Sequence, residues 1–227
     1  LGMHRSGPSP ARSFTVVDGY QFPPSFHRAV REAGHRLLVI DDDNHLDCYH
    51  CHILLNPSAR PHTIAYRTHP QTLCLEGLEY ALIREEFSGA RPPEPLGNPA
   101  RILVTMGGSD PAGACLTILG ALKRIQTDNI RVKAIIGPMA GHASDIKALV
   151  RASNAFEAIE SPDMASLMHW ADLALSAAST TCLELGRMGV PFIMVTTAPN
   201  QAVLADNLAK QGMGIHMGQI ETLGEDA

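Results

Sequence analysis

The sequence predicts an α/β protein with two domains, each built on a parallel sheet. Short apolar runs that end in turn residues alternate with stretches of helical periodicity along the chain. The apolar runs are continuous rather than alternating, which is typical of strands covered on both faces of a parallel sheet. A stretch with four prolines at 88–100 breaks both periodicities and marks a boundary between the domains.

The first part of the chain contains the shorter and weaker pattern. Strands are predicted at FTVVDGY and HRLLVIDDD, on either side of the helix PPSFHRAVREAG that Gly34 ends. Two further short strands are predicted at HILLN and HTIAYR, followed by LEYALIREEF. We assign residues 1–90 to a partial N-terminal domain and residues 91–100 to a proline-rich linker.

The second part, residues 101–227, alternates strand and helix without interruption. The predicted strands are RILVTM, RVKAIIG, AFEAIES, DLALSAA, PFIMVTT and MGIHMG. The predicted helices are PAGACLTILGALKRIQ, HASDIKALVRAS, PDMASLMHWA, STTCLELGRMG and NQAVLADNLAKQG. Asp110 is expected to cap the first of these helices, with Pro111 at its first position. Single helices between the strands predict one parallel sheet with helices on both faces.

Composition excludes several functional classes. A formal charge of −5 argues against a general nucleic-acid binder, which needs a basic face to neutralise phosphates. No apolar run approaches the roughly 20 residues of a membrane span, and the start LGMHRSGPSPARSF lacks the apolar core of a signal peptide. Five cysteines, an odd number, suit reduced thiols. We therefore expect a cytoplasmic protein, and the sequence gives no indication of its oligomeric state.

The stretch DCYHCHILLN contains a spacing used for covalent haem attachment. Cys48, Cys51 and His52 match the C-x-x-C-H pattern, but such attachment occurs outside the cytosol. Zinc binding through these cysteines with His50 or His52 lacks a second ligand pair at the usual spacing. The simpler interpretation is a polar turn before ILLN, a short buried strand. We expect no metal and no cofactor.

The first of three unusual strand–helix junctions is VTMGGSDP. Ligands of parallel sheets bind beyond the carboxyl ends of the strands, where helix N-termini gather. Gly107 and Gly108 let the backbone approach a phosphate, the first free amides of the helix point at it, and Ser109 adds a hydroxyl. A tight turn capped by Asp110 explains the same residues without a ligand.

Two further junctions repeat this arrangement. The stretch LSAASTTCLELG begins a helix with Ser179 and Thr180, and Glu184 follows one turn later. A carboxylate there can accept from both hydroxyls of a ribose diol, or it is a surface glutamate near a helix dipole. In TTAPNQAVLADNLAKQG, Asn200 is a helix N-cap or a ligand contact, and Gln201 can reach the same cleft.

The combined motifs resemble a known family. The stretches MASLMHWADLAL, TTCLELGRMGVPFIMV and NQAVLADNLAKQGMG resemble the nucleotide-binding domain of glycosyltransferase-B enzymes of the lipid II-forming N-acetylglucosaminyltransferase type. The stretches VVDGY, LLVIDDD, ILLN, LEGLEYALIREEF and GGSDP are more similar to the UDP-sugar hydrolase of pseudaminic acid biosynthesis and to related spore coat polysaccharide proteins. The resemblance implies a glycosyltransferase-B-like fold with two Rossmann-like domains, of which the N-terminal one is incomplete.

The resemblance also implies a reaction and a set of site residues. The family hydrolyses a UDP-linked deoxy-diacetamido hexose to UDP and free sugar, with inversion, in the biosynthesis of nonulosonic acid and surface polysaccharide. The implied UDP-binding residues are Gly107, Gly108, Ser109, Ser179 and Thr180 for the phosphates, Glu184 for the ribose, Ile159 and Met164 for the uracil, and Gln201. Asn200 would position water or sugar. Helix N-termini would stabilise the leaving UDP without a metal.

The general base of this family is a histidine in a glycine-rich loop upstream of VVDGY. His4 in GMHR is a weak counterpart, because no apolar strand precedes it and prolines follow it. We therefore expect a chain that is truncated at both ends, with impaired hydrolysis. Asp18 and Tyr20 are candidates for sugar contacts. The aspartates at 41–43 form a metal-binding group or, more simply, a capped turn.

Two alternatives to the hydrolase stay open. One is a UDP-sugar glycosyltransferase, which needs an acceptor-binding first domain. The other is a non-catalytic module that binds a nucleotide sugar and lacks a base.

Overall fold

The computed structural model describes residues 14–58, 65–88, 100–125 and 129–223. The chain divides into two compact units, Leu1–Leu82 and Ile83–Ala227, which we call unit 1 and unit 2 and describe separately. His4 and residues 91–99 of the predicted linker lie outside the described residues. The last predicted linker residue, Ala100, instead begins a strand.

Unit 1 is a four-stranded parallel sheet with one helix. Its elements in chain order are β1 Phe14–Asp18, α1 Pro24–Glu32, β2 Arg36–Ile40, β3 Ile53–Asn56 and β4 Leu73–Glu76. The strands follow one another in the sheet in the order β1-β2-β3-β4. The core between sheet and helix consists of Val17, Leu37, Val39, Tyr49, Cys51 and Leu54.

Three of the four strands predicted for unit 1 are confirmed, and the described half of the fourth forms no strand. Residues 62–64 of HTIAYR lie outside the described residues, and Ala65–Arg67 form no strand. The chain there makes a single parallel bridge, between Thr68 and Tyr49. The strand β4 was not predicted, because four residues with an exposed Leu73 carry too little apolar pattern. The segment LEYALIREEF forms two short 3-10 helices, Leu78–Tyr80 in unit 1 and Glu85–Phe87 in unit 2.

Unit 2 is a six-stranded parallel sheet in which every predicted strand and helix is confirmed. Its elements are β5 Ala100–Thr105, α2 Ala114–Ile125, β6 Ile130–Ile135, α3 Ala143–Arg151, β7 Phe156–Ile159, α4 Met164–Trp170, β8 Leu173–Ala177, α5 Thr180–Met188, β9 Phe192–Thr196, α6 Ala202–Lys210 and β10 Ile215–Gln219. Short 3-10 helices occur at Pro199–Gln201 and Ile220–Thr222. The strand order is β10-β9-β8-β5-β6-β7.

The strand order of unit 2 reverses direction between β5 and β8. The chain begins at β5, proceeds outward through β6 to β7, and returns to the other side of β5 at β8. Because parallel crossovers are right-handed, α2 and α3 cover one face of the sheet while α5 and α6 cover the other. Thr105 is paired with Ser176, so the loops after β5 and β8 leave the sheet at the same level. Such a switch point is where open α/β sheets bind ligands.

One face of this sheet is only partly covered. An open cavity of ≈490 Å³ lies beside α2 and extends over β8, β9 and β10. Apolar side chains dominate its lining, among them Leu116, Leu175, Ile193, Val195 and Met217. The cavity lies against the face of the sheet rather than at its carboxyl edge, and its apolar lining does not suit a phosphate.

None of the helices within the described residues is long and apolar enough to cross a membrane.

Candidate functional site

The loop after β5 is a glycine turn that a neighbouring loop holds in place. Gly107 has a φ of 81°, a left-handed conformation that glycine adopts without steric cost. A Cβ atom on Gly137, in the loop after β6, would collide with the carbonyl oxygens of both Gly107 and Gly108. The amide of Met139 donates to the Gly108 oxygen at 2.9 Å. The two loops are therefore closely packed, while residues 107–109 stay exposed.

Asp110 caps α2 more completely than the sequence indicates. Its carboxylate is buried and accepts from the amide of Ala114 at 2.8 Å through Oδ1 and from the amide of Cys115 at 3.0 Å through Oδ2. The helix begins at Ala114, so the prediction of Pro111 at its first position is wrong. The first amides of α2 already bind a carboxylate and are not free for a phosphate. Any anion at this loop must be held by residues 107–109 themselves.

The loop after β8 leads into α5 through a hydroxyl cap. Ser179 is the N-cap residue, and its Oγ accepts from the amide of Thr181 at 3.3 Å. Thr180, the first residue of the helix, is exposed. This loop and the glycine turn lie on either side of the switch point between β5 and β8. The structure thus brings together two of the three junctions that the sequence singles out.

Glu184 is buried on α5, so its interpretation as a surface glutamate is wrong. The residue is 9% exposed, and its Oε1 accepts from Nε of Arg84 at 3.0 Å. Arg84 also pairs with Glu86 at 2.9 Å, and its guanidinium lies 4.9 Å from the centre of the Phe87 ring. The hydrogen bond to Glu184 raises the pKa of Arg84. The carboxylate of Glu184 is therefore held in a fixed orientation.

Arg84 is the residue that sequence reasoning missed. It precedes the 3-10 helix Glu85–Phe87, which packs against α5 and buries Phe87 completely. The pairing spans 100 positions in the sequence, so no local periodicity signals it. The only available signal was the segment LEYALIREEF, which carries part of the resemblance.

The third junction is closed by Gln201 rather than capped by Asn200. The Oε1 atom of Gln201 accepts from the amide of Thr197 at 2.8 Å and from its hydroxyl at 3.3 Å. Asn200 is exposed within the 3-10 helix Pro199–Gln201. The N-cap position of α6 belongs to Gln201, which makes no side-chain cap bond. The interpretation of Asn200 as N-cap is therefore wrong, and its side chain lies at the surface of this edge.

Ile159 and Met164 lie at the same edge of the sheet, two strands from the glycine turn. Ile159 ends β7, and its carbonyl oxygen accepts from the amide of Ile136 at 2.9 Å. That oxygen is thus already bonded within the sheet. Met164 begins α4, which Asp163 caps by accepting from the amide of Ser166 at 3.1 Å.

In unit 1, Asp18 and Tyr20 lie at the carboxyl end of β1 and are both exposed. The hydroxyl of Tyr20 donates to Oδ1 of Asp42 at 2.5 Å, and this bond is the main cause that raises the pKa of Tyr20 to about 12. The Tyr20 ring meets the His45 ring edge-on, with centroids 5.0 Å apart. These side chains form a polar surface at the strand ends of this unit.

The three aspartates after β2 have different environments. Asp41 is buried and accepts from the amide of Asn44 at 2.6 Å and from the hydroxyl of Tyr49 at 2.9 Å, and it also pairs with His45. These bonds confirm the capped-turn interpretation for Asp41. Within residues 14–58, 65–88, 100–125 and 129–223 the structure contains no group of three or more His, Cys, Asp or Glu side chains placed to hold a metal.

Of the two cysteines in DCYHCHILLN, Cys51 belongs to the core of unit 1, while Cys48 is half-buried. Cys51 is fully buried, and burial raises the pKa of its thiol to about 12. A buried neutral thiol is a poor metal ligand, because metals bind the thiolate. The strand that follows, Ile53–Asn56, is buried as predicted.

Fold and site together define the class of this protein. Two parallel sheets, with helix N-termini next to the switch point of the larger one, are typical of an α/β, glycosyltransferase-B-like protein. Residues 101–226 match the glycosyltransferase family 28 C-terminal domain, and the chain belongs to this family.

One curated relative and two solved structures are informative. The chain is 27% identical over 158 residues to the spore coat polysaccharide biosynthesis protein SpsG of Bacillus subtilis (strain 168), covering 68% of this chain and 47% of the relative. The structure of Acinetobacter baumannii MurG superimposes with a TM-score of 0.63 at 16% identity, over 93% of this chain and 61% of that one. The structure of the spinosyn rhamnosyltransferase SpnG with thymidine diphosphate superimposes with a TM-score of 0.50 at 15% identity, over 86% of this chain and 62% of that one.

These comparisons confirm the predicted glycosyltransferase-B-like fold and the resemblance to spore coat polysaccharide proteins. At such identities the two structures show the fold alone. The chain spans about half the length of the curated relative that it matches, 47%.

Proposed function

We propose that unit 2 binds the UDP part of a UDP-sugar, and that the protein cleaves the bond between the anomeric carbon and the β-phosphate oxygen. The observation that carries this proposal is the pair of loops at the switch point, a glycine turn on one side and a helix with a buried glutamate on the other. Open parallel sheets bind nucleotides at this position.

The phosphates would lie between the two loops. Residues 107–109 are exposed and supply backbone amides and the Ser109 hydroxyl, while Thr180 at the exposed start of α5 supplies a second hydroxyl. The positive end of the α5 dipole stabilises negative charge there. The α2 dipole contributes less, since the carboxylate of Asp110 already occupies that helix end.

The ribose would lie against Glu184. Each carboxylate oxygen has two lone pairs, so the bond from Arg84 to Oε1 leaves acceptor capacity for both hydroxyls of a ribose diol. Arg84 also fixes the rotamer of Glu184, which lowers the entropy lost on binding. Gln201 would keep the third loop closed beside the phosphates, and Ile159 and Met164 would border the base.

The reaction would transfer the sugar to water. Water attacks the anomeric carbon, the bond to the β-phosphate oxygen breaks with its electron pair leaving on UDP, and a general base takes the proton from water. Asn200 is the exposed side chain of unit 2 that would orient water or sugar. The name of the curated relative suggests a role in polysaccharide biosynthesis.

A second candidate is transfer of the same sugar to an acceptor hydroxyl. The family matched by residues 101–226 is a glycosyltransferase family, and this observation favours transfer. Both reactions use the same UDP site, and they differ only in the acceptor.

Calorimetric titration with UDP tests the site. Glu184→Ala should lose about 1.5–3 kcal/mol of binding free energy, the range for hydrogen bonds to a charged group. That loss corresponds to roughly tenfold to hundredfold in affinity. The matched control is Glu221→Ala, which removes an exposed carboxylate elsewhere in unit 2 and should bind UDP like wild type. Equal affinity of wild type and Glu184→Ala would reject the ribose assignment.

Phosphorus NMR then separates the two reactions. With a UDP-diacetamido sugar, release of UDP without any added acceptor supports hydrolysis. Release that requires an acceptor alcohol supports transfer instead.

A further inference from the structure

A small basic pocket lies in unit 1, at the edge of the sheet opposite Asp18 and Tyr20. It is a cavity of ≈190 Å³ between α1 and the segments that precede β3 and β4. Its lining residues are Arg28, Arg31, Glu32, His50 and His69. The amide of Leu73 donates to the carbonyl of His52 at 2.9 Å, which places these segments at the amino-terminal ends of the strands.

The pocket holds more positive than negative charge. The two guanidiniums of Arg28 and Arg31 share it with one carboxylate, Glu32. Arg28 donates to Nε2 of His50 at 2.9 Å, and Arg31 donates to the carbonyl of Cys51 at 3.1 Å. Among the described residues, neither arginine forms an ion pair with a carboxylate. Since each guanidinium has five N–H donors, most of their donors are left for a ligand.

The two histidines add further donors. A guanidinium can only donate, so Nε2 of His50 accepts and the proton of its neutral ring lies on Nδ1. Burial, followed by the charges of Arg28, His69 and Arg31, lowers the pKa of His50. Nδ1 of His69 accepts from the amide of Gln71 at 3.2 Å, so the neutral ring of His69 carries its proton on Nε2.

We propose that this pocket binds a small oxyanion with two negative charges, namely phosphate or the phosphoryl group of a phosphomonoester. Arginine pairs recognise phosphate oxygens bidentately, and an anion here would relieve the repulsion among the positive groups. The cavity is smaller than the roughly 300 Å³ from which pockets for whole organic ligands begin, so a single phosphoryl group fits and a nucleotide does not. The site belongs to unit 1 and is independent of the nucleotide site proposed in unit 2.

The test is a phosphate titration of the whole chain, followed by NMR of the His50 and His69 ring signals. Saturating UDP is added so that phosphate does not compete for unit 2, and the residue-specific signals keep the two sites distinct. We expect saturable shifts of both rings and a higher pKa of His50 in the phosphate-bound state, because the anion offsets the arginine charges. Arg31→Gln should weaken phosphate binding about tenfold or more.

Two further variants make the result specific. Arg36→Gln removes the same charge from an exposed arginine at the start of β2 that does not line the cavity, and it should leave the affinity unchanged. Arg28→Gln, at an exposed position, replaces Arg31→Gln if the latter does not fold. Shifts that rise linearly without saturation, or equal weakening by Arg36→Gln, would overturn the proposal.

The source of the phosphoryl group is decided by a second titration with glycerol phosphate. Tighter binding than inorganic phosphate assigns the pocket to a phosphomonoester, and weaker binding assigns it to the free ion. Acetate, a singly charged oxyanion, should bind more weakly than both. Acetate binding as tight as phosphate binding would contradict the requirement for two charges.

Discussion

The ion pair between Arg84 and Glu184 gives the sharpest prediction about the proposed UDP site. The two side chains differ in exposure, at 56% for Arg84 and 12% for Glu184. If Glu184 accepts from the ribose and Arg84 only orients it, the two residues must affect UDP binding unequally. Arg84→Gln should weaken UDP binding less than tenfold, because Glu184 keeps its buried position on α5. Glu184→Gln should weaken it roughly tenfold to hundredfold.

The ion pair between Arg84 and Glu184 should also contribute to the free energy of unfolding of unit 2. An exposed pair is worth about 0.2–1 kcal/mol, whereas breaking a buried pair costs about 3–5 kcal/mol. With one exposed and one buried partner, we expect a coupling free energy of about 1 kcal/mol in a double-mutant cycle. Urea unfolding of wild type, both single variants and the double variant measures this coupling.

The assay for the ribose contact compares UDP with 2′-deoxy-UDP. In wild type the deoxy compound should bind more weakly, since one bond to Glu184 is lost. Wild type and Glu184→Gln should differ much less in their affinity for 2′-deoxy-UDP than for UDP. If Arg84→Gln weakens UDP more than Glu184→Gln does, or if the wild type binds both compounds equally, the assignment of Glu184 to the ribose is wrong.

Three further predictions concern stability and reactivity. Asp110→Asn should destabilise unit 2 by about 1–3 kcal/mol in urea unfolding, because one of the two α2 amides loses its acceptor. An unchanged unfolding midpoint would contradict a stabilising role of this helix cap. Burial lowers the pKa of His27 below its ordinary value of 6.5, so its contribution to stability is present above pH 6.5 and is lost as the pH falls through the folded-state value. His27→Gln should flatten this acid loss in urea midpoints measured at several pH values, and an equal slope in both proteins would refute it. In native protein a thiol reagent should modify the exposed Cys74 before Cys51 and Cys115, whose burial raises the pKa of each thiol to about 12; peptide mass spectrometry reads the order, and early labelling of Cys51 would show that it is accessible.

The sequence predicts unit 2 better than unit 1 for a physical reason. In β5, β8 and β9 most residues are apolar, and each strand contains an uninterrupted run of at least three apolar residues. The strand β4 has only four residues, two of them exposed, and its pairing with β3 rather than its own pattern makes it a strand. The local sequence pattern does not predict a strand whose formation depends on hydrogen bonding to a neighbouring strand.

The candidate site shows the same limit at the level of single residues. The glycine turn and Ser179 could be predicted, because conformational freedom and helix capping are local properties. Capping by Asp110 could also be predicted, but its φ of 39° and the start of α2 at Ala114 could not, since they depend on how the turn packs. The partner of Glu184 could not either, because Arg84 is 100 residues away in the sequence.

Gly137, in the loop after β6, constrains the conformation of the glycine turn that follows β5. Any side chain at this position would displace the carbonyl oxygens of Gly107 and Gly108, so the loop after β6 sets how closely the turn can lie to the sheet edge. The loop after β6 therefore limits the conformations that the glycine turn can adopt. A search for variants with altered preference at the proposed nucleotide site should therefore randomise residues 137–139 together with residues 107–109, because changing the turn alone leaves its steric boundary unchanged.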